Sequence, residues 1–416
     1  MDHFSYKNGT LHAEDVSIAD IAATVGTPFY CYSRATLKRH VAVFREALAP
    51  LKPLICFAVK ANSNLAVLKT LARENVGADV VSEGEARRAI AAGIPPHNIV
   101  FSGVGKTAAE MRYALEAGIF QFNVESDREL LTLNDVALSM KKRAAIALRV
   151  NPDVDAATHA KISTGKKENK FGIDIDIAPA MYALAASLPG ISVQGISVHI
   201  GSQLTTLEPF RAAYLRVRSL VEQLRRDGIA IHTIDLGGGL GVPYDDETPP
   251  LPAAYGELAC AVFAGFPGQY IFEPGRLIAG NAGLLVATIL YVKRAAKNYA
   301  ILDAGMNDLM RPALYDAVHN LIPIAQQMAE MVTVDVVGPV CESSDLFAKD
   351  VSIAAPKEGA LVAFRTAGAY GASMANTYNS RLLVPEVLVD GDRFAVVRPR
   401  PTYDDMLKLD VIPDWI

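Results

Sequence analysis

A TIM-like (β/α)8 barrel followed by a mainly antiparallel β domain is the fold that the sequence predicts. Up to about residue 275, eight short apolar and β-rich runs alternate with stretches of helical periodicity. That alternation is typical of a parallel barrel. Beyond about residue 283 the strand-like runs continue with few helices between them, which favours a separate antiparallel domain.

The predicted barrel strands are apolar runs bounded by polar or glycine-rich segments. They are Leu54–Val59, Ala78–Ser82, Ile99–Ser102, Phe120–Val124, Ala144–Val150, Gly195–Ile200, His232–Leu236 and Tyr270–Phe272. Helices are expected between them, for example over Glu83–Ala92, and over Phe210–Arg226, which is apolar at every third or fourth residue.

The second domain is expected to contain seven further strands. They are Leu284–Val292, Tyr299–Asp303, Val332–Val337, Val351–Ala354, Ala360–Phe364, Glu386–Val389 and Phe394–Arg398, with Ala313–His319 reading differently. We therefore expect a barrel domain over residues 29–279 and a β domain over residues 280–416. The N-terminal segment 1–28 is expected to join the β domain.

Composition narrows the class of protein. The chain has 416 residues, of which 51% are hydrophobic, so it can bury a large core. Its formal charge of −5 gives no reason to expect that it binds nucleic acid. Its four cysteines (Cys31, Cys56, Cys260 and Cys341) are widely spaced, which indicates free thiols. Neither a signal peptide nor a membrane span is evident. We expect a cytoplasmic protein without a metal site.

The first predicted strand ends at a lysine. The segment I-C-F-A-V-K-A-N-S-N, residues 55–64, indicates a buried strand, then Lys60, then a helix. Taken alone, such a lysine more often snorkels to solvent. A lysine held rigidly in a partly desolvated pocket instead suits Schiff-base chemistry.

Other strand ends carry groups that would suit a phosphorylated aromatic aldehyde, since barrel chemistry gathers at the carboxyl ends of the strands. These groups are His199, Ser202, Gly237, Gly238, Gly239, Glu273, Gly275 and Arg276. Consecutive glycines let the backbone approach an anion, and a glutamate can keep a ring nitrogen protonated. Individually, the glycines could form a tight turn and the histidine could be a core residue.

Six motifs stand in order along the chain: F-A-V-K-A-N, H-I-G-S-Q, D-L-G-G-G-L-G, E-P-G-R, C-E-S-S-D and G-A-Y-G. Together they resemble the fold-type III, alanine-racemase-like family of pyridoxal-phosphate enzymes, and within it the decarboxylases of diaminopimelate. The resemblance implies that Lys60 forms the internal aldimine with pyridoxal 5'-phosphate, that His199 stacks on its ring, and that Glu273 pairs with the ring nitrogen. It also implies that the cofactor is bound by Ser202, Gly237, Gly238, Gly239, Gly275, Arg276 and Tyr370.

A second set of residues concerns the substrate. Arg311 and Tyr315 are four residues apart, so on a helix they share a face and can hold a carboxylate; a surface arginine beside a half-buried tyrosine is the alternative. The resemblance implies that they bind the distal carboxylate of diaminopimelate together with Arg276, and that Tyr370 also contacts substrate.

The C-E-S-S-D motif adds two further groups by resemblance. Cys341 would return a proton to the substrate, and Glu342 would bind the distal ammonium group. Ser344 stands where the family commonly has glycine. Tyr378 receives no functional role here, and core packing is expected for it.

The expected reaction is decarboxylation of meso-2,6-diaminopimelate to L-lysine and CO2, the last step of lysine biosynthesis, in a homodimer that shares its active sites. Glu273 favours a decarboxylase over a racemase of this fold, which places an arginine at the ring nitrogen. The alternatives are a related decarboxylase of ornithine, arginine or carboxynorspermidine, and a non-catalytic cofactor-binding or regulatory homologue. The lysine-rich loop 158–170 is expected to be either solvated or a lid.

Overall fold

The N-terminal segment begins with short strands that form a small antiparallel sheet. The computed structural model describes residues 2–155, 170–294, 296–326 and 328–416. The first elements are β1 (Phe4–Lys7), β2 (Thr10–Ala13), β3 (Val16–Ser17), α1 (Ile18–Val25), β4 (Phe29–Ser33) and α2 (Arg34–Ala47). Strands β1, β2 and β3 pair in that order.

The barrel is closed by parallel strands. They are β5 (Leu54–Ala58), β6 (Gly77–Val80), β7 (Ile99–Phe101), β8 (Gln121–Val124), β9 (Ala144–Asn151), β11 (Ile191–Val198), β12 (Thr233–Asp235) and β13 (Gln269–Phe272), with the short β10 (Ile173–Asp174) beside β9. Strand β13 pairs with β5, and β8 pairs with β9, so the sheet returns on itself. In the described part of the chain, all eight predicted barrel strands are confirmed.

Helices follow most of these strands. They are α3 (Leu65–Arg73), α4 (Glu83–Ala91), α5 (Ala108–Ala117), α6 (Asp127–Ser139), α7 (Ala178–Ser187), α8 (Glu208–Arg226), α9 (Pro252–Phe263) and α10 (Arg276–Ala279). Side-chain caps set the starts of α3, α4, α5 and α6. Asn64, for example, accepts from the Ala66 N–H, and Ser82 accepts from the Glu85 N–H. These caps separate the strand ends, where polar groups collect, from the helices that follow.

The remaining strands form a second, mostly antiparallel sheet. They are β14 (Gly283–Arg294), β15 (Asn298–Leu302), β16 (Leu321–Pro323), β17 (Met331–Val337), β18 (Leu346–Ala354), β19 (Leu361–Phe364), β20 (Glu386–Asp390) and β21 (Arg393–Arg398), together with α11 (Arg311–Tyr315) and α12 (Tyr403–Leu407). All seven predicted strands of this domain are confirmed. The sheet order is β18-β17-β15-β14-β4-β20-β21, with β19 also paired to β14.

Two compact units divide the chain. The barrel unit comprises Leu37–Pro243 and Glu247–Ile278, and the β unit comprises Met1–Thr36, Tyr244–Asp246 and Ala279–Ile416. Strand β4 lies in the β unit because its backbone pairs with β14 and β20. The division made from the sequence instead starts the barrel at residue 29, ahead of β4.

Two further expectations concern single segments. The helix near residue 313 covers Arg311–Tyr315 and not Ala313–His319, because Asp316 adopts a left-handed conformation with φ of 52° and ends it. The loop 158–170 lies, apart from Lys170, outside the described residues. No helix in the described ranges combines the length and the apolar character needed to cross a bilayer.

Candidate active site

Lys60 lies at the carboxyl end of the first barrel strand, on the 3₁₀ turn Val59–Ala61 that follows β5. Its Nζ is 2.7 Å from Oδ2 of Asp79, which is completely buried on the neighbouring strand β6, while the lysine side chain is 40% exposed. The other oxygen of Asp79, Oδ1, is buried and has no hydrogen-bond partner among the described residues. The lysine amine is therefore both reachable and held by a fixed carboxylate.

Two more carboxyl groups lie inside the same end of the barrel. Glu273 directly follows β13 and Asp235 ends β12, and both are buried. The amide nitrogen of Asn123, on β8, lies 2.9 Å from Oδ2 of Asp235 and 3.2 Å from Oε1 of Glu273. We call Lys60, Asp79, His199, Asp235 and Glu273 the barrel mouth.

The acidic groups of the barrel mouth shift one another's protonation. Burial, and the negative charges of Asp235 and Asp79, raise the pKa of Glu273 well above its ordinary value, and the charge of Lys60 acts against that rise. Burial also raises the pKa of Asp235, while its hydrogen bonds, first of all to Glu273, act in the opposite direction. The hydrogen bond between the two carboxyl groups raises the pKa of Glu273 and lowers that of Asp235, so it favours the proton on Glu273. A cation beside Glu273 would favour the ionised form instead.

His199 lies beside the glycine triplet. Its Nδ1 accepts a hydrogen bond of 3.3 Å from the Gly238 N–H, so the proton of the neutral ring resides on Nε2. Burial, followed by the positive charges of Arg149 and Lys60, lowers the pKa of His199 well below its ordinary value. The ring is therefore neutral.

The glycine triplet serves mainly to bring backbone segments together. A Cβ at Gly238 would collide with the carbonyl oxygen of Glu273. The N–H of Gly237 donates to Asp235 Oδ1 at 3.0 Å and that of Gly238 donates to His199 Nδ1 at 3.3 Å. These hydrogen bonds fix the Asp235 carboxyl group and the histidine ring.

Ser202, Gly275 and Arg276 occupy the ends of β11 and β13, as predicted from the sequence. The Nε and Nη2 atoms of Arg276 each lie 3.2 Å from the Ser202 hydroxyl oxygen. A side chain at Gly275 would press on Ala58, which ends β5, and on Ala61, the last residue of the lysine turn. The barrel thus gathers a hydroxyl and a buried guanidinium at this end.

The predicted substrate residues of the β unit divide between a helix and a loop. Arg311 begins α11 and is buried, and Tyr315 ends it and is half-buried. The helix therefore separates them by one turn, as the spacing predicts. Tyr370 has a positive φ of 57° in the G-A-Y-G segment, whose Gly368 N–H donates to the Gly280 carbonyl at 3.0 Å.

The loop that carries Cys341 is exposed, and it is hydrogen-bonded both within itself and to the segment that contains Asn379. The Cys341 N–H donates to Asn379 Oδ1 at 2.9 Å, and the Ser344 hydroxyl donates to Glu342 Oε1 at 2.6 Å. Hydrogen bonds from Ser344 and then Tyr378 lower the pKa of Glu342. Tyr378 is 47% exposed, so the expectation of core packing is wrong: its hydroxyl bonds to Glu342.

Reasoning from the sequence missed three residues that organise the mouth. Asp235 lies two positions before the first glycine of the triplet, Asn123 lies on β8, and Glu125 bonds to Arg149 at 3.0 Å. The position of Asp235 at a strand end was the available signal. In the described ranges, no group of three or more His, Cys, Asp or Glu side chains is arranged to hold a metal ion.

The barrel matches a family of known proteins. The family described as "Pyridoxal-dependent decarboxylase, pyridoxal binding domain" matches residues 34–280. This match spans every strand of the closed barrel and the groups at its mouth. The class defined by the fold and the match is therefore that of the pyridoxal-dependent decarboxylases.

Full-length relatives narrow this class. The chain is 50% identical over 419 aligned residues to a diaminopimelate decarboxylase of Zymomonas mobilis, covering 99% of each chain, and 51% identical over 418 to one of Vibrio cholerae, covering 100% of each. A crystal structure of diaminopimelate decarboxylase from M. jannaschii in complex with L-lysine superposes with a TM-score of 0.95 at 36% identity, covering 99% of this chain and 98% of the other. The chain belongs to the diaminopimelate decarboxylase family.

Proposed function

We propose that this protein uses pyridoxal 5'-phosphate to convert meso-2,6-diaminopimelate to L-lysine and CO2, the last step of lysine biosynthesis. The observation that carries the proposal is the 50% identity over the whole chain to a diaminopimelate decarboxylase. Similarity of this extent covers the β unit as well as the barrel, so it includes the residues that would distinguish substrates. We infer that the barrel binds the cofactor and that the β unit contributes residues that bind the substrate.

The residues of the barrel mouth suit the cofactor. Lys60 offers an accessible amine, the buried Glu273 offers a carboxyl group that a cationic ring nitrogen would ionise, and the orphaned oxygen of Asp79 lies beside the lysine. Bound pyridoxal 5'-phosphate supplies an electron-withdrawing ring that accepts the negative charge left on the substrate when CO2 departs. Lys60 would hold the cofactor aldehyde, Glu273 its ring nitrogen and His199 its ring face.

The phosphate group would be bound by residues around the barrel end. We assign this role to Ser202, Gly239, Gly275, Arg276 and Tyr370, with Gly237 and Gly238 shaping the backbone around them. A buried guanidinium and a hydroxyl 3.2 Å apart form a donor pair suited to a phosphate oxygen. The neutral His199 ring adds no charge that would compete with Arg276.

The substrate's distal amino-acid group is assigned to the β unit and Arg276. Arg311, with Tyr315, would bind the distal carboxylate, and Glu342 the distal ammonium group. The lowered pKa of Glu342 keeps this carboxyl ionised, which favours a cation. Tyr370 would contact the substrate as well as the phosphate.

Cys341 is assigned the final proton transfer. Its thiol would give the Sγ proton to the substrate carbon that has lost CO2, so that a new C–H bond replaces the broken C–C bond. The thiol is exposed, which suits a group that must reach a ligand, and its N–H is tied to Asn379. Anchoring the backbone limits the positions that the sulfur can occupy.

A homodimer that shares its active sites is proposed, with the Cys341 loop of one subunit completing the barrel mouth of its partner. The segment 403–416 supports association, because it presents apolar side chains that are between 67% and 87% exposed: Leu407, Leu409, Val411, Ile412, Trp415 and Ile416. Its helix α12 is held in shape by a capping box between Thr402 and Asp405. We further propose a cytoplasmic location.

Shared sites can be tested by mixing two inactive variants. Lys60→Ala and Cys341→Ala chains, unfolded and refolded together, should recover about a quarter of the wild-type rate, because each mixed dimer has one intact site. Each variant refolded alone is the control. Mixed dimers that form but remain inactive would contradict the shared site.

The substrate is tested by measuring CO2 release from diaminopimelate, ornithine, arginine and carboxynorspermidine. Diaminopimelate should be preferred, because only it carries the distal amino-acid group that Arg311 and Glu342 are assigned to bind. A preference for any of the other three would overturn the substrate assignment. Release from none of them by the holoenzyme would overturn the activity itself.

A further inference from the structure

A buried cluster in the β unit surrounds the guanidinium of Arg311. Nη1 of Arg311 lies 2.9 Å from Nε2 of His319, and its Cζ lies 4.4 Å from the centre of the Tyr244 ring. The rings of Tyr244 and His319 meet edge to face, with centroids 5.1 Å apart. All three side chains are buried. We call these residues the Arg311 cluster.

The protonation of His319 follows from its partners. Nδ1 lies 2.9 Å from the backbone carbonyl oxygen of Arg365, and a carbonyl oxygen only accepts, so Nδ1 carries the hydrogen. An arginine N–H only donates, so Nε2 presents its lone pair to Arg311. His319 is therefore a neutral imidazole that links the guanidinium to a fixed backbone carbonyl.

We propose that His319 is a positioning residue that orients Arg311 for the carboxylate of the substrate. The inference rests on the proposed function, since it concerns the distal carboxylate of diaminopimelate. A bidentate arginine–carboxylate pair requires the planar guanidinium to lie in one orientation. His319 fixes one edge of that plane and Tyr244 covers one face, so together they set the plane in which the guanidinium meets a carboxylate.

The competing role for His319 is purely structural. The residue follows α11, and its bond to the Arg365 carbonyl also ties two segments of the β unit together. That role would need the Nδ1 donor and not the Nε2 acceptor. A replacement for His319 must therefore keep an acceptor for Arg311 if the residue positions the guanidinium, and a donor for the Arg365 carbonyl if its role is structural.

Two substitutions separate these roles. His319→Gln can place an amide oxygen near the position of Nε2 and so keep the acceptor for Arg311, whereas His319→Asn can keep the donor for Arg365 and loses that acceptor. The Gln variant should have a KM for diaminopimelate within about threefold of wild type, and the Asn variant should show about a tenfold rise with little change in kcat. The opposite order would assign His319 to the structural role.

Tyr244 provides a test that does not depend on replacing His319. Tyr244→Phe keeps the aromatic face and should leave the KM unchanged, whereas Tyr244→Leu removes that face and should raise the KM several-fold, because cation–π support is lost. Equal KM values for the two variants would contradict the support of Arg311 by the ring. Thermal unfolding of all four variants checks that the fold is retained.

Ligand binding distinguishes the positioning role from general damage to the site. L-lysine carries a carboxylate and cadaverine does not, so His319→Asn holoenzyme should bind L-lysine about tenfold more weakly than wild type while its affinity for cadaverine stays unchanged. An equal loss for both ligands, or no loss for either, would overturn the inference. This result is separate from the proposed reaction, which is tested by the release of CO2 from diaminopimelate by the wild-type enzyme.

Discussion

The barrel mouth and the Arg311 cluster hold charged groups in different ways. In the mouth, three buried carboxyl groups lie at the ends of parallel strands, and their mutual repulsion helps to raise the pKa of Glu273. In the Arg311 cluster, one buried cation is held by a neutral imidazole and an aromatic face. The barrel mouth therefore acts through the charges of its carboxyl groups, whereas the Arg311 cluster fixes the orientation of one guanidinium.

This difference separates the kinetic effects that we expect. A group whose role is electrostatic contributes mainly where charge develops during the reaction, so its loss lowers kcat. A group whose role is to orient a binding contact acts equally on bound substrate and transition state, so its loss raises KM. The predictions below test whether the two regions divide in this way.

The largest effect is expected at Lys60. Lys60→Ala removes the only amine assigned to hold the cofactor aldehyde, so the visible absorbance of the purified holoenzyme should disappear and CO2 release should fall below detection. Lys69→Ala, which changes an exposed lysine on α3, is the matched control and should behave as wild type. Retention of the visible band in Lys60→Ala would mean that another amine holds the cofactor.

Replacing Glu273 should give the next largest effect. Glu273→Gln keeps the shape of the side chain and removes its ability to ionise, so the ring nitrogen loses its charged partner. We expect kcat to fall by about 10²- to 10³-fold with little change in KM. Glu257→Gln, on the exposed face of α9, serves as the control. If KM rises in Glu273→Gln while kcat stays unchanged, Glu273 contributes to substrate binding. The barrel mouth and the Arg311 cluster would then not differ in the kinetic constant that they affect.

Much of the fold, and part of the mouth, follows from the sequence because periodicity and strand ends are local features. Lys60, His199 and Glu273 all lie where an apolar run stops. The sixth barrel strand starts at Ile191 and not at Gly195, because β9 also pairs with residues 191–193 before a register shift. Such pairing depends on a neighbouring strand and leaves little trace in the local pattern.

The missed residues depend on contacts between distant positions. Asn123 reaches Asp235 across 112 positions because the barrel closes, and neither residue shows this partnership locally. Tyr378 resembles a core aromatic by residue type, yet its hydroxyl bonds to Glu342 in another loop. The residues of β4 fall inside the barrel range predicted from the sequence, because its partners β14 and β20 come only after the barrel segment of the chain.

Arg311 should show a binding effect. Arg311→Ala removes the charge-assisted bonds to the distal carboxylate, so we expect kcat/KM for diaminopimelate to fall by the equivalent of about 2–4 kcal/mol, mostly through KM. Arg393→Ala changes a guanidinium that is 79% exposed on β21 and should have no effect. If the loss in Arg311→Ala falls on kcat alone, the cluster does not act by orienting a binding contact.

The smallest effect is expected at Tyr378, where the change concerns one hydrogen bond to an exposed carboxylate. Tyr378→Phe should raise KM about two- to tenfold. Because the hydroxyl helps to lower the pKa of Glu342, its loss raises that pKa, so the weakening of substrate binding on the acid side should begin at a higher pH in the variant. The measurement is KM against pH for wild type, Tyr378→Phe and the exposed control Tyr291→Phe. If the rise of KM at low pH begins at the same pH in wild type and in Tyr378→Phe, Glu342 does not contribute to substrate binding. Arg311 would then be the charged group of the β unit whose loss raises KM.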